Sequence, residues 1–193
     1  MLVDNRADMM AKSTDTVKRF TEEPLLAEHG FAALIGLKEA GQRILWDGGL
    51  TRIALLENAR CIKIDLATID KIALSHGHED HFAAFTDVIR GIARRPSPRE
   101  WDKDATLEEM RRWAKGRRRV PLIAHPAAFR ERWDIEKDGK KHGPHAVPRD
   151  EWEAAGADVI LSEGPYELSA GCWTTGTVPR QSFEKAGTPT HMA

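Results

Sequence analysis

Residues 75–81, Ser-His-Gly-His-Glu-Asp-His, place three imidazoles and an aspartate within seven positions. Those residue types are metal-ligand chemistry: imidazole nitrogen and carboxylate oxygen together suit zinc, or manganese and iron where oxygen ligands dominate. The spacing divides the work. His76 and His78, two apart at the end of a strand, can converge on one ion from a tight loop, and Gly77 relieves the crowding between them. Asp80 and His81, one turn further on, can face a second ion. A pair of ions held this way lowers the pKa of a bound water and clamps an ester or phosphate. The bland alternative is a histidine-rich turn that holds nothing. An H-x-H-x-D-H order between a strand and a helix favours the metal centre, because such loops are where α/β folds place chemistry.

Little else in the chain offers chemistry. Ser75 and Ser162 lack a G-x-S-x-G elbow, and neither a P-loop nor G-x-G-x-x-G occurs. Cys61 and Cys172 are the two cysteines; they have no C-x-x-C partner, cannot form a disulfide framework, and fit a reducing cytoplasm. Net charge is −1, from 29 basic and 30 acidic residues, so no global field marks a nucleic-acid or membrane binder. No apolar stretch approaches the ~20 residues that cross a bilayer, and residues 1–13 lack the basic and apolar regions of a signal peptide. The expected localisation is cytoplasmic.

The elements that must position the motif follow from periodicity and turn signals. Residues 2–4 resemble the end of a strand, and Ser13 could cap a short helix through Phe20. The apolar run Phe31–Leu37 predicts a buried strand, Glu39 to Gln42 a turn, and Arg43–Trp46 the returning strand. Asp47-Gly48-Gly49 ends it abruptly. A helix opening at Thr51 would bury Ile53, Leu56 and Ala59, and Lys71–Ser75 is the strand that leads into the motif. Phe82, Phe85, Val88, Ile89 and Ile92 recur at helical spacing just past His81. Residues 94–119 form a highly charged insertion with one helix over Leu107–Lys115, opened by the Thr106/Glu109 capping-box pair; its arginines are expected on a solvated face. Val120–Ala124 predicts a strand, Pro126 the first turn of a helix over residues 127–133, Asp138-Gly139 a hairpin turn, Asp150–Ala155 a helix, and Val159–Ser162 and Cys172–Thr175 strands. The tryptophans are expected to pack cores or rims. Strands joined by both turns and helices indicate mixed α/β in a single domain over 1–193.

His76-x-His78-x-Asp80-His81 matches the H-x-H-x-D-H motif of the metallo-β-lactamase fold. Glu28-His29-Gly30, the Phe31–Leu37 strand, Ile44 to Gly49, Leu56 to Ala59, Ile69-Asp70, Ala124-His125-Pro126 and Thr175 to Arg180 resemble one subgroup of it, named after dihydropterin-ribofuranosyl-aminobenzene-phosphate synthase. The resemblance implies an αββα sandwich with two metal ions, zinc in the first instance and Mn2+ or Fe2+ as substitutes, at the edge of its sheets. His76 and His78 would hold one, Asp80 and His81 the other; Asp80 would also orient the attacking water. Asp47 would brace the ligand loop from behind, and His29 and His125 would contribute to the pocket. The implied protein is a metal-dependent hydrolase or lyase, using a metal-bound hydroxide on a phosphoester or other anionic small molecule. Members of the family draw further histidine ligands from a second ββα half that follows the Val-Pro-Arg stretch. The chain is therefore expected to be the N-terminal portion of such a fold, lacking much of the second half. A homo-oligomer or a complementary C-terminal half would then supply the missing ligands. The rival expectation is a catalytically incomplete half-domain that binds metal weakly and acts by associating with that half. Phe82-Ala83-Ala84-Phe85 departs from the Gly-rich stretch usual after the motif, and His142 and His145 fall in a polar surface loop.

Overall fold

The computed structural model describes residues 24–93, 101–116, 118–179, 181 and 191–192. The strand expected over residues 2–4 and the helix from Ser13 lie outside the described residues. Strand β1 (Ala33–Leu37) turns back into β2 (Gln42–Trp46), antiparallel, with Ala33 opposite Trp46. Gly41 sits at φ +62 in that turn, a conformation glycine takes without steric cost. From β2 onward the sheet is parallel: β3 (Lys71–Leu74) lies beside β2, β4 (Val120–Ala124) beside β3, and β7 (Ala157–Leu161) beside β4. The result is a mixed five-stranded sheet in an α/β protein, as the element pattern predicts.

Alternation along the central strands feeds two apolar faces. Leu45, Ile72, Leu74, Leu122 and Ala124 point to one side, where they meet helices α1 (Ala54–Cys61), α2 (Phe85–Ala93) and, beyond the charged helix α3 (Leu107–Lys115), α4 (Arg149–Ala155). Ile44, Ala73 and Ile123 point to the other, where the hairpin of β8 (Tyr166–Ser169) and β9 (Cys172–Thr174) covers them with Leu168, Tyr166 and Cys172. A second small sheet pairs β5 (Arg132–Ile135) with β6 (Lys141–His145), and β10 (His191–Met192) with β5. Among the described residues no helix is long and apolar enough to cross a membrane.

Several expectations are corrected. The Phe31–Leu37 run is not a buried strand: β1 is the sheet edge and most of its residues are half-buried. The helix after Thr51 starts at Ala54 and buries Ala54, Leu55, Asn58 and Ala59, leaving Ile53 67% exposed. Asn58 broke the apolar period; its amide is buried because it closes two hydrogen bonds on Leu26, accepting from the backbone N (2.8 Å) and donating to the carbonyl (2.8 Å). Residues 127–133 do not form a helix. Pro126–Phe129 is a single 3-10 turn, and Arg132–Ile135 extends into β5 because the Asp138-Gly139 turn, with Gly139 at φ +87, returns the chain along it. The loop expected around His142 and His145 is accordingly strand β6. Within the charged segment, residues 94–100 and 117 lie outside the described residues, and the capping box of Thr106 with Glu109 is formed.

The tryptophans divide. Trp152 is 1% exposed and packs edge-on against Phe82 (5.6 Å), Phe85 (5.3 Å) and Phe129 (6.1 Å). That cluster accounts for the phenylalanines after the motif: Phe82 and Phe85 anchor the end of the ligand loop in the core. Trp101 stacks edge-on with Trp113, whereas Trp46 and Trp173 are exposed.

Candidate metal centre

Parallel strands deliver their C-terminal loops to one edge of a sheet. Here β2 delivers Asp47 and β3 delivers residues 75–81. Backbone hydrogen bonds then lock the loops together. Gly48 N donates to His81 O (2.6 Å), Ala83 N to Gly49 O (3.1 Å), Gly49 N to Phe31 O (2.9 Å) and Phe31 N to Asp80 O (3.2 Å). Gly48 has no room for a side chain, since a Cβ there would lie 2.7 Å from the Phe85 ring.

Asp47 organises the interior of this junction. It is 1% exposed and holds a left-handed backbone, φ 59, that aspartate tolerates better than most residues. Its carboxylate accepts from Ser75 N (2.8 Å), Ser75 Oγ (2.7 Å) and His81 Nδ1 (2.8 Å). A carboxylate only accepts, so His81 Nδ1 carries the proton and Nε2 keeps its lone pair. Ser75 Oγ, whose hydroxyl hydrogen is directed at Asp47, accepts from His76 Nδ1 (2.9 Å), which leaves His76 Nε2 as a lone pair facing His78. One buried carboxylate thus sets the tautomer of two imidazoles.

Those lone pairs converge. His76 Nε2 lies 3.1 Å from His78 Nδ1, and His81 Nε2 lies 3.6 Å from Asp80 Oδ2. Two ligand atoms on a tetrahedral zinc at 2.0–2.1 Å stand about 3.3 Å apart; the first pair lies at hydrogen-bond distance and the second at ion-pair distance, both near that value. Among the described residues no group of three His, Cys, Asp or Glu side chains surrounds one point. The donor types therefore fit a zinc-type centre as two pairs, each short of a full ligand set.

Protonation separates the two imidazoles: the shifts favour a neutral His76 and a charged His81, whose proton a metal would have to displace. Burial, with the neighbouring His81 and His78, pushes the His76 pKa below 6.5 and favours the neutral form that binds metal. Burial also pushes His81 down, but the hydrogen bond and charge of Asp47, with Asp80, outweigh it and raise the net value above 6.5.

His78 and Asp80 open into a cleft of about 650 Å³ whose walls include Leu50, Phe82, Arg132 and Pro144. His29, 72% exposed, stands at its rim with Nε2 3.2 Å from Asp80 Oδ2. His145, on β6, lines the same cleft and pairs with Asp134 at 3.1 Å. His125 is elsewhere. It accepts from Ala127 N (3.0 Å), meets Thr177 Oγ1 (2.8 Å), and borders a separate cavity of about 210 Å³ beneath β8–β9 with Trp46, Ser162 and Trp173. Sequence reasoning missed Arg132, Asp134 and His145 as cleft residues. The Asp138-Gly139 turn was the available signal, because a hairpin there sets residues 132–135 opposite 141–145.

Fold and site together describe an α/β protein with a mixed sheet and a histidine–aspartate loop at the carboxyl ends of its parallel strands, resembling the metallo-β-lactamase fold. Among named proteins, the chain is similar to the 7,8-dihydropterin-6-methyl-4-(β-D-ribofuranosyl)-aminobenzene-5'-phosphate synthase of Methanocaldococcus jannaschii, 25% identical over 171 residues, 86% of this chain and 50% of that protein. An uncharacterized protein of the same organism is 28% identical over 160 residues, 80% of this chain and 48% of that one. The chain thus spans about half the length of the curated relatives it matches. It matches no family model. Partial structural neighbours include a subclass B3 metallo-β-lactamase from a soil metagenome library, with 16% identity, 71% of this chain, 42% of that chain and a TM-score of 0.35. Another is a B3 metallo-β-lactamase with an active-site glutamic acid, with 16% identity, 80% of this chain, 52% of that chain and a TM-score of 0.38.

Proposed function

We propose that the protein is a metal-dependent hydrolase or lyase acting on a phosphoester or other anionic small molecule. The observation that carries this reading is the Asp47–Ser75–His76 and Asp47–His81 network, which presents two imidazole lone pairs beside His78 and Asp80. Beyond tying the ends of β2 and β3 together through Ser75, the carboxylate reaches His81 Nδ1 and, through Ser75 Oγ, His76 Nδ1, which supports a metal role. His76 and His78 would hold one ion, Asp80 and His81 the other, and bound metal would supply Lewis-acid polarisation and a lowered pKa for water. Asp80, which pairs with His29 at the cleft rim, would orient the attacking water. Arg132 lines the cleft wall with no carboxylate at ion-pair distance among the described residues; its net charge, held by backbone carbonyls, supports an anionic substrate.

The test is elemental analysis of the purified chain after zinc loading, beside an Asp80→Ala/His81→Ala control, followed by hydrolysis of bis(p-nitrophenyl) phosphate. Close to two zinc ions per chain, lost in the control, with turnover that follows zinc content, is the expected result. Equal zinc in both proteins would overturn the assignment of the site.

A further inference from the structure

Arg132 opens β5 but turns its guanidinium back against the chain. Nη1 donates to the carbonyl oxygens of Gly77 (3.1 Å), Ala128 (2.9 Å) and Arg130 (3.2 Å), and Nη2 donates to that of Ala127 (3.0 Å). Three of these acceptors belong to the turn that leaves β4. The fourth is the residue between His76 and His78. A half-buried cation needs compensation, and here backbone dipoles supply what a carboxylate usually does.

A second observation concerns the other side of the same contact. A Cβ on Gly77 would lie 2.0 Å from Ala128 O and 2.5 Å from Arg132 Nη1. The ligand loop therefore rests backbone to backbone on the 127–130 turn, with only the guanidinium between their carbonyls. The Gly77 carbonyl and the carbonyls of Ala127, Ala128 and Arg130 repel one another; the planar fork of an arginine, with its Nη hydrogens shared among these four acceptors, converts that repulsion into a bridge. Lysine offers a single point of charge and cannot span the same set.

We propose that Arg132 is a positioning residue: by holding the Gly77 carbonyl and the 127–130 carbonyls at once, it fixes the His76–His78 loop against the β5–β6 wall of the cleft. The bridge stands on geometry alone, and only its consequence for metal rests on the function proposed above. The wall and the ligand loop are then one unit, so a substrate that touches the wall meets the ligands at a set distance.

The experiment uses the full chain, with Arg132→Met and Arg132→Lys. Amide hydrogen exchange is followed in the metal-free proteins for the peptide covering residues 75–84, against residues 120–124 as the internal reference. Zinc affinity is measured in parallel by competition with a chromogenic chelator. In Arg132→Met the loop is expected to exchange about tenfold faster or more while the β4 reference is unchanged, and zinc to bind about tenfold more weakly or worse. Arg132→Lys should fall between Arg132→Met and the parent, and it carries the test if the methionine variant does not fold. Loop exchange within about twofold of the parent would overturn the proposal, including the case where only substrate KM changes and Arg132 acts on the substrate directly. If the parent chain takes up no zinc, the function proposed above fails, and the exchange comparison still decides the role of Arg132.

Discussion

Asp47→Asn changes the sign of the hydrogen bonding around Asp47 while keeping its size. Asparagine tolerates the left-handed backbone at φ 59, so no backbone penalty confuses the result. Its one carbonyl oxygen can keep the bond from Ser75 N, now without the charge. The amide nitrogen, however, takes the place of the oxygen that accepts from Ser75 Oγ at 2.7 Å and His81 Nδ1 at 2.8 Å. A donor facing His81 Nδ1 forces that nitrogen to become the acceptor, and the proton moves to Nε2. The same reversal passes through Ser75 Oγ, which then donates to His76 Nδ1 and leaves the proton of His76 on Nε2. Both imidazoles would present N–H where a metal needs a lone pair. Trading charge-assisted bonds for neutral ones at a fully buried site costs about 2–4 kcal/mol of stability, and loss of the supporting carboxylate costs about 10–100-fold in metal affinity. The assay has two arms: zinc competition against a chromogenic chelator, and long-range nitrogen–proton NMR of the imidazoles in the metal-free protein. Zinc affinity within twofold of the parent, or a His81 still protonated on Nδ1, would refute the reasoning. The NMR arm decides the tautomer argument whether or not zinc binds.

The histidines also carry a pH signature. In the metal-free protein His81 should titrate above 6.5 and His76 below it, and imidazole proton NMR that finds the reverse order would contradict the network. The signs for stability are opposite. The contribution of His81 is fully present below about pH 6.5, the unfolded value, and is lost as pH rises through its higher folded pKa. His76 withdraws stability as pH falls from that value toward its own lower one. Trp152→Ala should destabilise the fold by about 3–5 kcal/mol, read as a denaturant midpoint at constant m value. Because Phe82 and Phe85 rest on that ring, the loop after His81 should loosen with it; an unchanged exchange rate there would show that backbone bonds alone hold the loop.

How much of this was legible beforehand depends on the range of the interaction. The motif and the two parallel strands before and after it needed only local pattern: Lys71–Leu74 and Val120–Ala124 are short apolar runs bounded by polar turns, and the structure bounds them within a residue of expectation. The phenylalanines that break the usual run after the motif looked like a departure, and their partner Trp152 lies some seventy positions away, where no periodicity connects them. On α1 the expected Ala59 is buried and Leu56 packs against the core, but Ile53, just before the helix, is exposed, and Asn58 joins the buried face because a distant backbone at Leu26 satisfies its amide.

What the sequence determined by itself is the chemistry: which residues bear nitrogen and oxygen donors, that they stand two, four and five positions from the first, and that a strand precedes them and a helix follows. Those are properties of a few consecutive residues, and local sterics and periodicity are enough to express them. What only the tertiary structure decided is the set of groups that face the motif without being near it in the chain. Asp47 reaches His81 because β2 and β3 run parallel and end together. Arg132 reaches Gly77 because a glycine turn at Asp138-Gly139 folds residues 132–135 into a strand in place of a helix. His125 was drawn away to another cavity by a capping bond to Ala127. Hydrogen bonds and packing of that kind depend on which strand ends share an edge, and a chain read one residue at a time carries no record of it until the sheet has formed.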